Sequence, residues 1–544
     1  MMPDAALSPF APLLLALASL FPLALLALTL AAPGFRPRLA TLLWLAPLPG
    51  LMAAVFAQGA IVSLPTPLAL GLMLDRPGAL LLGSAALIWC AAGIAAPAWW
   101  GEKLRSLPYQ AWWLATLAGS MTVFIAADLV TFYLAFSLVS LAGYGLVTRD
   151  GTVAALKAGR VYFALAVTGE AFLLSGFVLL ALGAGGETRI AAIVAALPSA
   201  PRMAPALVLV LLGLAAKLGL VPLHLWMPPS YGAAPYPAAA VLSGAAVKAG
   251  VIGLVRFLPY ATPTETLGIA LAAAGFFSAF FGVAIGLTQR HPKHVLAYSS
   301  ISQMGVIAAV AGLSLAAGRA AGPTEIAFYG LHHVFAKGGL FLALAALSMT
   351  GNRGRAALLW PAAIVALGIA GLPLTGGALA KLAIKDALGS GWAKTLGSLS
   401  AVASTVLMLH FLTLATVMRS RDASAVAPVA LRAAWWGTAL ASLALPWLLF
   451  PSVGGSLAAT VAPQALYELG WPILAGGALF ALLRLWRNRP SLPPGDILAI
   501  IRTGEPWLAR LSNGVAAIEG FLTDWTVAGA VLLLLALALA GAML

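Results

Sequence analysis

The stretch GLAAKLGLVPLHLWMPPS (213–230) decides the fold, because it places a lysine, a proline and a histidine inside an apolar segment. A charged lysine near the centre of a bilayer is costly, and a proline removes a helical hydrogen bond. A chain tolerates Lys217 shortly before Pro222 where a helix is broken and water reaches the amine. The stretch therefore predicts a discontinuous membrane helix that lines a hydrated path.

The composition agrees with a membrane protein over the whole length. Hydrophobic residues make up 62% of the 544 positions and charged residues 8%, and the mean hydropathy is +1.01. We therefore predict an all-α polytopic membrane protein. The net charge of +14 comes from basic residues dispersed between apolar runs, which favours membrane flanks over nucleic-acid binding. The single cysteine, Cys90, excludes a disulfide scaffold, a multi-cysteine zinc site and an iron–sulfur cluster bound by this chain alone.

Apolar runs bounded by proline, glycine or charge predict about 14–16 transmembrane helices. The first run exceeds the core of a signal peptide and follows no basic residue, so we interpret it as a span rather than a cleaved leader. The sixteen runs cover residues 8–32, 40–60, 77–99, 109–127, 128–147, 159–183, 204–222, 236–260, 265–288, 295–317, 325–349, 359–389, 393–418, 431–450, 465–486 and 524–543.

The distribution of basic residues predicts the orientation. Nineteen of the 30 basic residues lie in loops that follow odd-numbered spans, and five lie in loops that follow even-numbered spans. Because positive loops stay in the cytoplasm, both termini are predicted on the outer side of a bacterial inner membrane. A wrong span count would scramble this alternation along the chain.

Six further basic residues lie inside or at the edge of predicted spans. Arg256 and Lys385 lie near helix ends, where a long side chain can snorkel to the headgroups. The other four have roughly two or more apolar turns on either side, which predicts that they line a hydrated path. These four are Lys217, Lys248, Lys337 and Lys381.

The positions of two lysines indicate an internal repeat. Lys381 follows Pro373 in GIAGLPLTGGALAKLAIK (368–385), much as Lys217 precedes Pro222. The two spans, 7 and 12, are an odd number of spans apart, so their orientations are opposite. We predict two inverted five-helix repeats, spans 4–8 and 9–13, with helices 7 and 12 broken at the ion site.

This repeat divides the chain into four parts. The N-terminal helices 1–3 occupy 1–105, the first repeat 106–260, the second repeat 261–420 and the C-terminal helices 421–544. Within the last part, the amphipathic segment 490–523 begins with Pro-Pro and is predicted to lie on the cytoplasmic surface before the final span.

Four motifs resemble a known family. The run AKLGLVPLHLWMPPSYGAAPYPAAAVLSGAAVKAGVIGLVR (216–256) resembles the signature of the antiporter-like subunits of respiratory complex I. The large subunits of Mrp cation/proton antiporters and the corresponding subunits of membrane-bound hydrogenases belong to the same superfamily. The other three motifs follow in the family's order: QRHPKHVLAYSSISQMG (289–305), HVFAKGGLF (333–341) and GLPLTGGALAK (371–381).

The resemblance implies a role for each matched residue. Lys217 corresponds to the proton-handling lysine of broken helix 7, and Lys248 to the lysine or histidine region of helix 8. His333 and Lys337 correspond to the His-x-x-x-Lys pair of helix 11. Lys381 corresponds to the lysine or glutamate of broken helix 12, which opens toward the far side. In the family such residues form a hydrated proton path along the membrane midplane.

One family residue is absent. The family has a glutamate in helix 5, paired with the helix 7 lysine, but the corresponding position here is Ser137. A serine cannot supply the charge that keeps a buried lysine protonated. Glu170, in VTGEAFLLSG (167–176), matches a helix 6 carboxylate of some family members, so we predict that it replaces the missing counter-ion. The alternative is that this unit moves protons poorly.

Other polar residues carry weaker signals. The adjacent His332 and His333 do not indicate a metal pair, because neighbours on a helix point about 100° apart. No metal or cofactor site is predicted, since no glycine-rich strand–helix turn occurs in the sequence. Four residues are candidates for the path or its entrance: His224, His294, His410 and Asp386.

The predicted function is proton translocation by a non-catalytic subunit of a multi-subunit, energy-converting membrane complex. The sequence leaves open whether that complex is an enzyme such as a redox-driven translocase. The expected partners are other membrane subunits and a soluble redox or zinc-bearing module, with protons or sodium as the transported ion. The alternatives are an Mrp-type sodium/proton antiporter subunit, a membrane subunit of an inorganic-carbon uptake complex, and a structural member with an inactive channel.

Overall fold

The computed structural model describes residues 9–64, 70–199, 204–320, 322–418, 420, 422–485 and 492. Nearly all of this part is helical, and its strands form one two-stranded antiparallel hairpin in which Ile61 pairs with Met73. Twelve helices of the described part are long and apolar enough to cross a membrane. The protein is therefore an integral all-α polytopic membrane protein, as its composition predicts.

Three long helices in the first half of the chain begin at polar capping residues. Asp75, Asp128 and Thr152 each accept a hydrogen bond from a backbone N–H in the first turn of the helix that follows. The elements are α1 (Ala11–Ala31), α2 (Arg36–Leu42), α3 (Leu48–Phe56), β1 (Ile61–Ser63), β2 (Gly71–Met73), α4 (Arg76–Trp100), α5 (Leu107–Val123), α6 (Leu129–Thr148), α7 (Val153–Gly183), α8 (Ile190–Ala196), α9 (Ala204–Leu218), α10 (Met227–Ala233), α11 (Tyr236–Val241) and α12 (Lys248–Phe257).

The second half of the chain contains ten α-helices within the described residues. They are α13 (Glu265–Gly286), α14 (Pro292–Ala316), α15 (Gly322–Ser348), α16 (Arg355–Ala370), α17 (Gly376–Ala383), α18 (Lys385–Leu388), α19 (Trp392–Val417), α20 (Val429–Leu449), α21 (Leu457–Thr460) and α22 (Pro463–Leu485). A helix or broken helix coincides with each of the first fifteen predicted spans. The predicted span 524–543 and the amphipathic segment 490–523 lie outside the described part, apart from Leu492.

The first predicted break lies between α9 and α10. Helix α9 ends at Leu218, Gly219 adopts a φ of 69°, and Pro222 has no N–H to continue a helix. The exposed backbone groups find new partners nearby. The indole of Trp226 donates to the carbonyl of Ala216 at 2.8 Å, and the amide of Val221 donates to Ser278 Oγ of α13 at 3.0 Å.

The second predicted break lies between α16 and α17. Helix α16 ends at Ala370, and Gly371 follows with a φ of 101°, which suits glycine. Helix α17 restarts after Thr375, whose side chain caps the amide of Ala378. Both broken helices are therefore present where the proline and glycine positions predict them.

Helix α15 is the centre of the molecule. Residues 325–347 are all buried, and α15 packs against α4, α11, α12, α14, α16, α17 and α20. A helix that is apolar on every face belongs in a core. The polar groups His332, His333 and Lys337 therefore lie far from any lipid-facing surface.

Helices α13 and α14 make the most extensive helix pair in the described part. A Cβ atom added to Gly275 would lie 2.4 Å from the Ala309 nitrogen, and one added to Gly305 would lie 2.5 Å from the Gly275 carbonyl oxygen. The backbones touch at these glycines, as in other closely packed membrane helices.

The snorkelling predicted for Arg256 is wrong. Its side chain is buried and donates to the carbonyls of Phe124 and Ala126 at the end of α5. It also lies 3.3 Å from the carboxylate of Asp75. The unpaired carbonyls that follow a helix end attract a guanidinium more strongly than distant headgroups do.

Candidate functional site

Lys217 occupies the end of α9 and is buried. Its ammonium donates to Ser140 Oγ of α6 at 2.8 Å and lies 5.3 Å from the centre of the Phe136 ring. Ser140 in turn belongs to the helix that carries Ser137, the position of the missing glutamate. The break thus presents the lysine to α6 with a neutral hydroxyl as its direct partner.

Glu170 of α7 belongs to the same cluster. It is buried, it lies within electrostatic range of Lys217, and Ser137 and Ser140 face its carboxylate. The ammonium is hydrogen-bonded to Ser140 rather than to this carboxylate. The Oε1 atom of Glu170 has no hydrogen-bond partner within the described part. Buried carboxylate oxygens are normally hydrogen-bonded to protein or to water, so this oxygen is a position where a water molecule is expected.

A small cavity of about 20 Å³ reaches this cluster. Its lining includes Ser140, Tyr162, Gly169, Lys217 and Trp226. Since a water molecule needs roughly 10–15 Å³ of such space, the cavity has room for about one. This space lies beside the broken helix, next to the Lys217 side chain.

The second group of polar residues lies where α12 meets α15. Lys248 is fully buried, and its Nζ lies 2.6 Å from Nδ1 of His333. The same amine donates to the Ser243 carbonyl at 2.9 Å. Ser243 lies in a π-helical turn, Leu242–Ala246, which interrupts the regular pattern before α12. Such turns are frequent at functional sites because they free backbone groups.

Lys337 lies one turn after His333 on α15 and is fully buried. Its amine donates to the carbonyl of Leu296 in α14 at 3.0 Å. Lys337 also lies within electrostatic range of Lys248. Two buried amines and one imidazole therefore share the centre of the molecule.

Lys381 lies at the second break. Its side chain is half-buried and runs along Gly371, where an added Cβ would lie 2.8 Å from Lys381 Cε. Because Gly371 has no side chain, it leaves room for the side chain of Lys381. Four residues further on, Lys385 forms an ion pair of 2.6 Å with Glu468 of α22, and Asp386 beside it is exposed.

The remaining candidates lie at four further positions. His224 is buried in the first break, with its ring 5.0 Å from that of Phe281. His294 is half-buried against α10, and His410 Nε2 lies 2.8 Å from the Gln289 carbonyl oxygen. Their roles at an entrance stay predictions, as does that of Asp386.

His332 is not among the path residues that the sequence predicts. It is buried beside the junction of α16 and α17, close to Gly368 and Gly377, and within electrostatic range of Lys381. The sequence signal was the pair of adjacent histidines on one helix, which we considered only as a metal site. In the described residues, no group of three or more metal-binding side chains occurs.

The sequence matches a known family profile. The family described as NADH:quinone oxidoreductase/Mrp antiporter, transmembrane region, matches residues 126–408, which include both breaks and every buried lysine described above. NADH-quinone oxidoreductase subunit N of Salinispora tropica is 32% identical over 339 residues, which cover 58% of this chain and 66% of that protein. The chain covers less than half of the length of several other relatives.

Two solved structures share the fold. The Mrp complex from Dietzia sp. DQ12-45-1b contains a chain that superposes with a TM-score of 0.69 at 22% identity, covering 87% of this chain and 100% of that one. An archaeal membrane-bound sulfane sulfur reductase contains another, with a TM-score of 0.68 at 22% identity, covering 87% and 99%. At such identity the likeness concerns the fold alone.

Proposed function

Because the chain belongs to the NADH:quinone oxidoreductase/Mrp antiporter transmembrane family, we propose that it translocates protons as one subunit of a multi-subunit, energy-converting membrane complex. The path runs from Lys217 through the Lys248–His333 pair and Lys337 to Lys381. The observation that carries the proposal is the buried contact of 2.6 Å between Lys248 Nζ and His333 Nδ1.

That contact has the geometry of a proton transfer. A hydrogen bond needs one donor and one acceptor, and an ammonium facing a doubly protonated imidazole has no acceptor. Lys248 and His333 are therefore not both positively charged. They share one proton in this hydrogen bond, and either nitrogen can carry it. Burial in a low dielectric penalises a second charge at this place. A proton that arrives from Lys217 displaces one toward Lys381.

Glu170 has a different role in the proposal. A carboxylate about 4 Å from an ammonium contributes about 4 kcal/mol of attraction at an effective dielectric of about 20. Movement of Glu170 toward Lys217 favours the protonated amine, and movement away favours release. The cavity beside Lys217 supports this role, because it leaves space for about one water molecule next to the amine.

The two broken helices serve as matching half-paths. We place the first inverted repeat at spans 4–8, which coincide with α5–α12, and the second at spans 9–13, which coincide with α13–α19. Each repeat contributes one lysine at an unwound segment, Lys217 and Lys381. Unwound segments of this kind leave backbone carbonyls and water beside an ion.

The partners are other membrane subunits, since the relatives are subunits of oxidoreductase and antiporter complexes. An Mrp-type sodium/proton antiporter subunit is the second candidate, and its supporting observation is the shared fold with the Mrp chain over 87% of this sequence. A membrane subunit of an inorganic-carbon uptake complex is the third. A soluble redox or zinc-bearing module belongs to the first and third proposals.

The test uses inverted membrane vesicles that contain the intact complex, with a pH-sensitive dye to follow proton uptake. We expect Lys217→Ala and Lys381→Ala to assemble and to lower proton uptake at least tenfold. Lys103→Ala, which alters an exposed loop lysine, is the matched control and should pump normally. Normal uptake by both core variants would rule out the path.

Separate runs distinguish the candidates. Energising the vesicles with NADH tests a redox-linked complex, an imposed sodium gradient tests an antiporter, and bicarbonate accumulation tests carbon uptake. Proton movement that follows the sodium gradient and ignores NADH would favour the Mrp-type subunit. In the run in which the wild-type complex shows transport, the Lys217→Ala and Lys381→Ala variants should show little or none.

A further inference from the structure

Adjacent histidines on α15 face different neighbours. His333 faces α12, where its Nδ1 meets Lys248. Consecutive residues on a helix point about 100° apart, so His332 faces elsewhere. Its ring lies at the junction of α16 and α17, on the side of the second break.

Gly377 lies against this ring. A Cβ added to Gly377 would meet the Gly368 carbonyl and would lie 2.9 Å from Cε1 of His332, whereas one added to Gly368 would make an ordinary contact of 3.9 Å with Nε2. A side chain at Gly377 would therefore clash with both the backbone of α16 and the imidazole. Lys381, on the same short helix as Gly377, is near enough to His332 for their charges to interact. The junction thus accommodates a buried titratable ring beside the lysine.

The other polar groups of α15 point away from the second break. Lys337 is one turn from His333 and hence on a similar face, and its amine is bonded to Leu296 of α14. Lys248, His333 and Lys337 therefore gather on the side of α12 and α14. Lys381 lies on the side of the second break, within electrostatic range of His332.

We propose that His332 is a proton relay that carries protons across α15, between the Lys248–His333 pair and Lys381. This inference rests on the proposed function and adds a step to it. The imidazole accepts a proton on one ring nitrogen and releases another proton from the second nitrogen, so it returns to the neutral form with its tautomer exchanged. Water or a ring rotation restores the first tautomer.

The relay explains why two histidines occur side by side. One ring serves the face of α15 toward the first broken helix, and the other serves the face toward the second. A single histidine could not reach both faces. The proton crosses a fully buried helix without a charged group having to move through the core.

The experiment compares two side chains of nearly equal shape at this position. His332→Gln cannot carry a proton, whereas His332→Glu can. In vesicles with the intact complex, we expect His332→Gln to lower proton uptake at least tenfold and His332→Glu to recover at least a third of the wild-type rate. Deuterated water should slow His332→Glu more than the wild type, because proton transfer through the substituted group becomes rate-limiting.

Ser348→Ala is the matched control on the same helix. It removes a hydrogen bond of 2.8 Å to the Ala345 carbonyl at the end of α15 and should leave uptake within twofold of the wild type. Assembly is checked for every variant by the yield and melting temperature of the purified complex.

The outcomes separate the relay from the wider proposal. Loss of uptake in Lys381→Ala together with normal uptake in His332→Gln overturns the relay and keeps the path. Normal uptake in both overturns the path itself. Equal loss in the Gln and Glu variants, or failure of both to assemble, assigns His332 to packing and also overturns the relay.

Discussion

At the scale of single residues, the buried amines share one feature. Lys217 is bonded to a serine hydroxyl, Lys248 to a carbonyl and an imidazole, and Lys337 to a carbonyl. These partners are neutral, and a direct ion pair with any of the three amines is absent from the described part. A direct carboxylate partner would hold the ammonium permanently charged. Neutral partners stabilise the proton and still allow it to leave.

Ser140→Ala tests this principle at Lys217. The variant removes a hydrogen bond to a charged group, worth roughly 1.5–3 kcal/mol, and so weakens proton binding by the amine. We expect proton uptake to fall about tenfold at neutral pH and to recover as the pH is lowered, because a higher proton concentration compensates for weaker binding. The measurement is the pH profile of uptake in vesicles.

The control for that profile is Ser452→Ala. Ser452 donates a hydrogen bond of 2.6 Å to the Leu449 carbonyl at the end of α20. Its variant should keep the wild-type profile. A Ser140→Ala profile that is lowered equally at every pH would indicate a structural role for Ser140.

Glu170→Gln tests the replacement of the missing helix 5 carboxylate. We expect it to reduce proton uptake nearly as much as Lys217→Ala, because the charge that favours a protonated Lys217 is lost. Adding Ser137→Glu to this variant should recover part of the rate, since Ser137 faces the same cluster. A fully active Glu170→Gln protein would rule out the replacement and favour the alternative, in which this unit moves protons poorly.

At the scale of elements, the sequence predicts the breaks but not all of their surroundings. Proline and glycine mark both interruptions because their effects on the backbone are local. The π-helical turn at Leu242–Ala246 contains no proline, so no local sequence signal predicts it. The position of His332 depends on how α15 is rotated against α16 and α17. The clamp of Arg256 on distant carbonyls is a tertiary effect as well.

Gly371→Ala tests the geometry of the second break. The φ of 101° is unfavourable for alanine, with a cost of about 1–2 kcal/mol for a left-handed conformation. The added Cβ also meets the Lys381 side chain. We expect a lower melting temperature of the purified complex and a reduced rate of proton uptake.

A matched glycine provides the comparison. Gly437 lies inside α20 with no atom within 4 Å of an added Cβ. Gly437→Ala should therefore raise helix stability by about 0.5–1 kcal/mol and leave uptake unchanged. Equal effects of the two substitutions would mean that the conformation of Gly371 has no special importance.

At the scale of the whole molecule, the sequence predicts the fold class and the order of helices well. Long apolar runs are unambiguous in a membrane protein, because a helix satisfies its own backbone in lipid. The helix boundaries are less well predicted. The segment at 40–60 is divided into α2 and α3, and α8 (Ile190–Ala196) lies in a region predicted to be a loop. Such short elements depend on contacts rather than on local composition.

The charge distribution makes a prediction about orientation. The loops at 149–158 and 351–356 should face the cytoplasm, and the loop at 184–202 should face outward. Single cysteines introduced there, in a Cys90→Ser background, can be labelled in intact cells and in inverted vesicles with an impermeant reagent. Cys90 is buried, so its replacement should be tolerated. Labelling of 184–202 only in inverted vesicles would reverse the orientation.

The bond between Val221 and Ser278 bears on the ancestry of the chain. Duplication of a self-contained five-helix unit would start from two modules, each complete by itself. Here the amide exposed by the break in the first predicted unit is held by a hydroxyl on the first helix of the second. Cutting the gene between residues 260 and 261 would leave that amide without its acceptor. We therefore expect the first predicted unit, when expressed alone, to lose the contact that holds its broken helix, and to regain it when the second unit is co-expressed.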